Sequence, residues 1–176
     1  MTEEYAAGRY MAAAELLPGG LRGAALALDR RTMARVEELR LRIGRPLGLT
    51  LPTGEVRLES TQVSREDLEQ VLDRATAFSR YTAAGTLRQG YLTAPGGFRI
   101  GVCGTALPTG GENSALRDPS SLAIRIPRAA EGAASPVLPH LVEGGRVVST
   151  LILSPPGGGK TTFLRDLTRQ LSLGSS

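Results

Sequence analysis

Polar and apolar positions change period several times along the 176 residues of the chain. Tyr10–Leu17 and Leu21–Leu28 space Ala and Leu at helical intervals around Pro18-Gly19-Gly20, which predicts two short helices. Arg31–Glu38 adds a further turn. From Glu38 the period falls to two. Glu38, Arg40 and Arg42 alternate with Leu39, Leu41 and Ile43, the pattern of a half-buried strand that Gly44 ends. Leu47–Leu51 and Glu55–Glu59 flank Pro52-Thr53-Gly54 and predict a hairpin. Ser64-Arg65-Glu66-Asp67 opens the clearest helix. Ser64 can cap it, Asp67 can reach back, and Leu68, Val71, Leu72 and Ala75 form one apolar stripe.

A short helix is expected over Arg80–Leu87. Gln89–Ala94 and Phe98–Thr105 around Pro95-Gly96-Gly97 predict a second hairpin. Leu107–Asn113 reads as a polar, glycine-rich loop, and Leu122, Ile124 and Ile126 alternate as another strand. Ala129–Pro136 has no periodicity and reads as a linker. Pro139–Glu143 is expected as a short helix ended by Gly144-Gly145. Val147–Leu153 is nearly continuously apolar, as expected of a strand buried on both faces.

Directly after that run stand Ser154, Pro155, Pro156, Gly157, Gly158, Gly159, Lys160, Thr161 and Thr162. An amphipathic segment follows, Thr161–Ser172, with Phe163, Leu164, Leu167 and Leu171 on one face. Strand, glycine loop, Lys-Thr and helix form the context that a phosphate-binding P-loop requires. Glycines let successive backbone N–H groups converge on phosphate oxygens, and the helix N-terminus adds free donors and partial positive charge. Lys160 is placed to reach the β- and γ-phosphates, and the Thr161 hydroxyl to hold Mg²⁺. The expected cofactors are therefore ATP and Mg²⁺. Ser154 stands where the strict motif begins with glycine. Lys160 is the only lysine in the chain, every other basic residue being Arg. A compact ammonium is thus kept at the one position that needs it among phosphates.

Composition narrows the remaining classes. The net charge of +4 is mild and no basic run interleaves with aromatics, so nucleic acid is not an expected partner. Cys103 is the only cysteine and His140 the only histidine, which excludes an intrachain disulfide and a zinc site of ordinary spacing. Cys103 itself, in Ile100-Gly101-Val102-Cys103, reads as part of a buried strand. The N-terminus has no signal-peptide pattern and no stretch reaches the ~18 apolar residues that span a bilayer. Any membrane role is expected to be peripheral, through partners. After Thr162 only 14 residues remain. The carboxylate that holds Mg²⁺ and polarises water is not among them. Asp166 lies on the P-loop helix and reads as a surface charge beside Arg165 and Arg169. The chain by itself is expected to turn over no ATP.

Taken together, these segments resemble the stage III sporulation protein AA family of endospore-forming bacteria, relatives of the secretion-type ATPases. The resemblance is carried by VEELRLRIGRPL at 36–47, FSRY at 78–81 and GYLTAPGGFRIG at 90–101. Leu116-Arg-Asp118, Ile124–Arg128 and the P-loop with its helix, Leu153–Arg169, complete it. Phe98 departs from it, standing before Arg99 where a polar residue, often His, is expected. The resemblance implies a cytoplasmic ATPase on the mother-cell side of the forespore-engulfing membrane. It also implies a homo-oligomeric ring, a hexamer, that energises an export-like channel with sporulation membrane-complex proteins.

The expected fold class is an α+β N-terminal domain of helices and antiparallel hairpins, followed by the first strand–P-loop–helix of a RecA-like α/β core. The expected domains are 1–128, a linker at 129–146, and the start of the ATPase domain at 147–176. Arg99, Arg117 and Arg125 are candidates for contacts to a neighbour's nucleotide, against a plain reading as exposed charges. Two other functions stay open. One is a secretion-type or plastid-type P-loop ATPase outside sporulation. The other is a module that binds protein or nucleic acid and carries a vestigial P-loop.

Overall fold

A computed structural model of the chain describes residues 3–77, 84–107, 115–127 and 132–174. Phe78–Tyr81, most of the loop expected over Leu107–Asn113, and the first residues of the expected linker lie outside the described residues. So does the first half of the helix expected over Arg80–Leu87. The chain divides into two compact units, Thr2–Arg128 and Ala129–Ser176.

In the first unit α1 (Glu3–Ala14), α2 (Gly19–Leu26) and α3 (Arg30–Arg35) precede β1 (Glu38–Arg42), β2 (Leu47–Leu51) and β3 (Gly54–Leu58). Then come α4 (Arg65–Ala75), α5 (Ala84–Arg88), β4 (Tyr91–Ala94), β5 (Phe98–Leu107) and β6 (Ala115–Arg125). The first helix starts earlier than the apolar spacing suggests. Glu3 and Glu4 occupy its first turn, where carboxylates favour the positive end of the helix dipole. Asp29 caps α3 by accepting the Thr32 N–H at 3.0 Å. At α4 the Ser64 hydroxyl accepts the Asp67 N–H at 3.1 Å while the Asp67 carboxylate accepts the Ser64 N–H at 2.8 Å. This is the reciprocal cap expected from the sequence.

The six strands form one antiparallel sheet in the order β3-β2-β1-β6-β5-β4. Both hairpins form where the turn residues place them. Alternation sends Leu39, Leu41, Leu47, Leu49, Ile100, Val102, Leu122 and Ile124 to one face. There they share a single core with Tyr10, Leu17, Leu68 and Val71 of the helical segments. The Tyr10 hydroxyl, fully buried, donates to the Ala25 carbonyl at 3.0 Å. Burial pushes its pKa up.

Two local expectations change. First, β6 begins at Ala115, well before the alternating residues Leu122–Ile126. The β5–β6 pairing shifts between Cys103 and Thr105. There Asp118 takes a positive φ of 46°, Pro119 offers no N–H, and a Cβ on Gly104 would meet the Arg117 carbonyl at 2.6 Å. This irregularity carries the polar half of the strand past a break that periodicity alone reads as an end. Second, Cys103 is exposed, not buried. The period of two that buries Ile100 and Val102 turns Gly101 and Cys103 to the opposite face. Phe98, which departs from the family resemblance, is a core residue. It is 2% exposed, and the Arg9 guanidinium lies 4.4 Å from its ring centroid.

The second unit contains a 3-10 turn (Leu138–His140), a two-stranded hairpin of β7 (Val142–Glu143) and β8 (Arg146–Val147), and α6 (Lys160–Ser172). Pro139–Glu143, expected as one short helix, is the 3-10 turn followed by β7, and Gly144-Gly145 makes the hairpin turn, both at positive φ. Val147–Leu153 is not a buried strand. Only Val147 pairs; Leu151 and Leu153 are 81% and 82% exposed. A strand needs neighbours for its N–H and C=O groups, and no strand among the described residues lies beside 148–153. A small core gathers Ala134, Leu138, Leu141 and Leu167, with Phe163, Val142 and Leu171 against it.

Candidate functional site

The loop before α6 takes a conformation that only its glycines permit. Gly157 and Gly159 sit at φ of 76° and 79°, in the left-handed region. Gly158 closes against the loop's own start. A Cβ there would lie 2.7 Å from Ser154 Oγ and 3.0 Å from the Pro155 carbonyl oxygen. The Gly158 N–H donates to that same carbonyl at 3.0 Å. Ser154–Gly159 therefore form a tight ring of backbone at the head of the helix.

Gly159 is the N-cap residue, with no side chain to cap the helix. The first N–H bonded within α6 is that of Phe163, to the Gly159 carbonyl at 2.8 Å. The N–H groups of Lys160, Thr161 and Thr162 precede it and have no partner further back in the helix. Lys160 Nζ folds across the loop. It donates to the Ser154 carbonyl at 2.7 Å, to Ser154 Oγ at 3.1 Å and to the Pro155 carbonyl at 3.1 Å. The ammonium is thus held by neutral oxygens at the mouth of the loop, and among the described residues no carboxylate pairs with it. Thr161 and Thr162 are exposed beside it. The nine residues expected at the site come together as one structure. Free N–H donors, the positive end of a helix and one ammonium converge, an arrangement that suits an anion.

Asp166 corrects the sequence reading. It is not a surface charge: it is 4% exposed. Its Oδ2 accepts the Ala134 N–H at 2.9 Å and the Gln170 amide at 2.7 Å, and its Oδ1 takes Arg169 at 2.8 Å. The Ala134 N–H chiefly, then Arg169 and Gln170, hold its pKa down at about 2 despite an opposing push from burial. The buried stripe of α6 accordingly runs through Phe163, Asp166, Leu167, Gln170 and Leu171, while Leu164, expected on it, is 46% exposed. Helical spacing alone puts Asp166 beside Phe163 and Leu167. That was the available signal, and the polarity of the side chain hides it.

Among the described residues no group of three or more His, Cys, Asp or Glu could hold a metal ion. Arg99 and Arg125 stand opposite each other in the β5–β6 register. Arg99 lies 4.2 Å from the Tyr91 ring centroid, and Arg125 pairs with Glu38 at 3.4 Å. Arg117 is apart from them, beyond the irregularity and opposite Thr105. Two of the three arginine candidates share a place in the sheet and the third does not.

Residues 10–176 match the family described as sporulation stage III, protein AA. The stage III sporulation protein AA of Bacillus subtilis (strain 168) is 38% identical over 161 residues, covering 92% of this chain and 52% of that protein. The chain therefore spans about half the length of the curated relative it matches. Among solved structures, the Legionella pneumophila ATPase DotB has a TM-score of 0.43 at 11% identity, over 78% of this chain and 38% of that one. The Yersinia pseudotuberculosis ATPase DotB has a TM-score of 0.38 at 12% identity, over 77% and 38%. These two are loose likenesses in shape, without bearing on the chemistry of the site.

Proposed function

The chain belongs to the sporulation stage III protein AA family, and from that premise we propose that it carries the ATP-binding loop of a sporulation ATPase. The phosphates sit on Ser154–Thr162. Backbone N–H groups of the loop and of Lys160–Thr162 take the β-phosphate oxygens, and the Lys160 ammonium leaves Ser154 and Pro155 to meet the β- and γ-phosphates. The Thr161 hydroxyl would hold the Mg²⁺ that accompanies the nucleotide, which would supply charge to offset the phosphates. The observation that carries this reading is the Lys160 ammonium, bonded among the described residues to neutral loop oxygens alone, at 2.7, 3.1 and 3.1 Å. Phosphate oxygens offer it stronger, charge-assisted partners.

Family membership favours the sporulation role over a secretion-type or plastid-type one. Within that role, the ATPase works as a hexameric ring on the mother-cell side of the membrane and energises an export-like channel. No helix among the described residues is long and apolar enough to cross a membrane. Contact with the membrane through protein partners belongs to the same proposal. The proposed division of the chain is an N-terminal domain to residue 128, a connecting segment at 129–146, and the start of the ATPase domain from 147.

Titrating a fluorescent ATP analogue into the chain tests the reading. Saturable binding that Lys160→Ala weakens at least about tenfold is expected, since each lost charge-assisted bond contributes roughly 1.5–3 kcal/mol. Equal binding by parent and variant would overturn the assignment and favour a protein- or nucleic-acid-binding module with a vestigial loop.

A further inference from the structure

The sheet face opposite the core carries arginines that the P-loop reading leaves unused. Register sets Arg57, Gly48 and Arg40 side by side across β3, β2 and β1. A cavity of about 330 Å³ opens there, lined by Arg40, Arg42, Arg45 and Arg57, with Glu55 and Gly48 among them. Gly48 keeps its floor open. A Cβ at that position would lie 3.3 Å from both Arg40 Cβ and Glu55 Oε1. Four guanidiniums line it with only the Glu55 carboxylate among them, and Glu38 offsets part of the excess from beside Arg40.

The carboxylate is already shared. Glu55 pairs with Arg40 at 3.1 Å and with Arg57 at 3.5 Å. Glu38 draws Arg40 from the other side at 2.6 Å. Arg42 and Arg45 make no side-chain hydrogen bond or ion pair among the described residues. The cavity therefore presents two guanidiniums with no hydrogen-bonded partner among the described residues, Arg42 feeling the Glu55 charge only at a distance, and two that a better anion can recruit from Glu55. Planar guanidinium forks bind phosphate oxygens in pairs. The size suits a small anion with several charges. A long polyanion would meet Glu38 and Glu55 along the same face, and the aromatic ring on it, Tyr91, is already covered by Arg99.

We propose that the cavity bounded by Arg40, Arg42, Arg45 and Arg57 binds a diphosphate-type oxyanion, independently of the P-loop. Glu55 acts as an internal stand-in that the ligand displaces. The ligand's source is either a free oligophosphate or the diphosphate of a nucleotide.

The test uses residues 1–176 carrying Lys160→Ala, which weakens the loop's own phosphate site, with inorganic pyrophosphate as the probe and amide NMR, which reports each site separately, as the readout. Saturable shifts at Gly48 and its β2 neighbours are expected. Arg42→Ala with Arg45→Ala should weaken that binding about tenfold or more, because two charge-assisted contacts are lost. Those two side chains make no hydrogen bond or ion pair among the described residues, so the fold is expected to survive their removal. Glu55→Gln should tighten binding by removing the competing charge, a gain that misfolding cannot imitate. ADP binding as tightly as pyrophosphate identifies a nucleotide as the source, and weaker ADP binding identifies a free oligophosphate. Absence of shifts at Gly48, shifts unchanged in the double variant, or weaker binding by Glu55→Gln would each overturn the proposal.

Discussion

Asp166 Oδ2 accepts the backbone N–H of Ala134 at 2.9 Å, across 32 positions of sequence. One carboxylate of α6 thereby fixes the segment that begins the second unit. Gln170 reinforces the contact: its amide donates to Asp166, and its own oxygen accepts from Ser135 Oγ at 3.3 Å. Asp166→Asn should release Ala134, because an amide cannot replace the charge that gathers three donors. Hydrogen exchange of the Ala134 amide is expected to quicken by about tenfold, with little change at Leu39 or Ile124. Unchanged exchange at Ala134 would show that the carboxylate is not the anchor.

The same residue sets a pH dependence. Its carboxyl titrates at about 2 in the folded chain against an ordinary 3.8. A depressed folded value means that protonation favours the unfolded state. The contribution is fully present above the ordinary value and is lost as pH falls from about 4 toward 2. Thermal unfolding of the second unit, followed between pH 5 and pH 2, should show this loss in the parent and a flatter profile in Asp166→Asn.

At the loop, two substitutions separate metal from phosphate. Thr161→Ala should remove most of the enhancement that Mg²⁺ gives to ATP binding and leave metal-free binding near the parent level, since the backbone donors survive. Lys160→Arg should fail to restore what Lys160→Ala loses, because a planar fork does not match a site shaped for a compact ammonium. Titrations with and without Mg²⁺ would read both. A Thr161→Ala variant with an intact Mg²⁺ effect would remove Thr161 from the metal.

Gly158→Ala tests the shape of the loop. The added methyl would start 2.7 Å from Ser154 Oγ, so the ring of backbone must open. Nucleotide affinity is expected to fall about tenfold, ~1.4 kcal/mol. The unfolding midpoint of the first unit should not move. Parent-like affinity would mean that the loop does not need its close approach to Ser154.

In the first unit, Tyr10→Phe should cost about 1–3 kcal/mol, because the Ala25 carbonyl loses its buried donor. Urea unfolding followed by circular dichroism would measure it. An unchanged midpoint would mean that water reaches Ala25 readily.

The features legible in the sequence are those whose causes lie within a few positions of one another. The Ser64–Asp67 cap and both hairpins depend on glycines, caps and alternation inside short windows, and the structure has each of them in place. Family membership was legible for the same reason, since it is carried by contiguous segments. What the sequence left undecided was burial, which depends on partners brought from far away. Cys103 and Val102 share one apolar run, and only the sheet's two faces separate them. Val147–Leu153 has the composition of a buried strand, yet its pairing and exposure are set by neighbours that composition does not contain. Asp166 has the chemistry of a surface residue. It is buried because Ala134, far back in the chain, supplies an N–H that satisfies it, and a window of helical spacing holds no record of that donor.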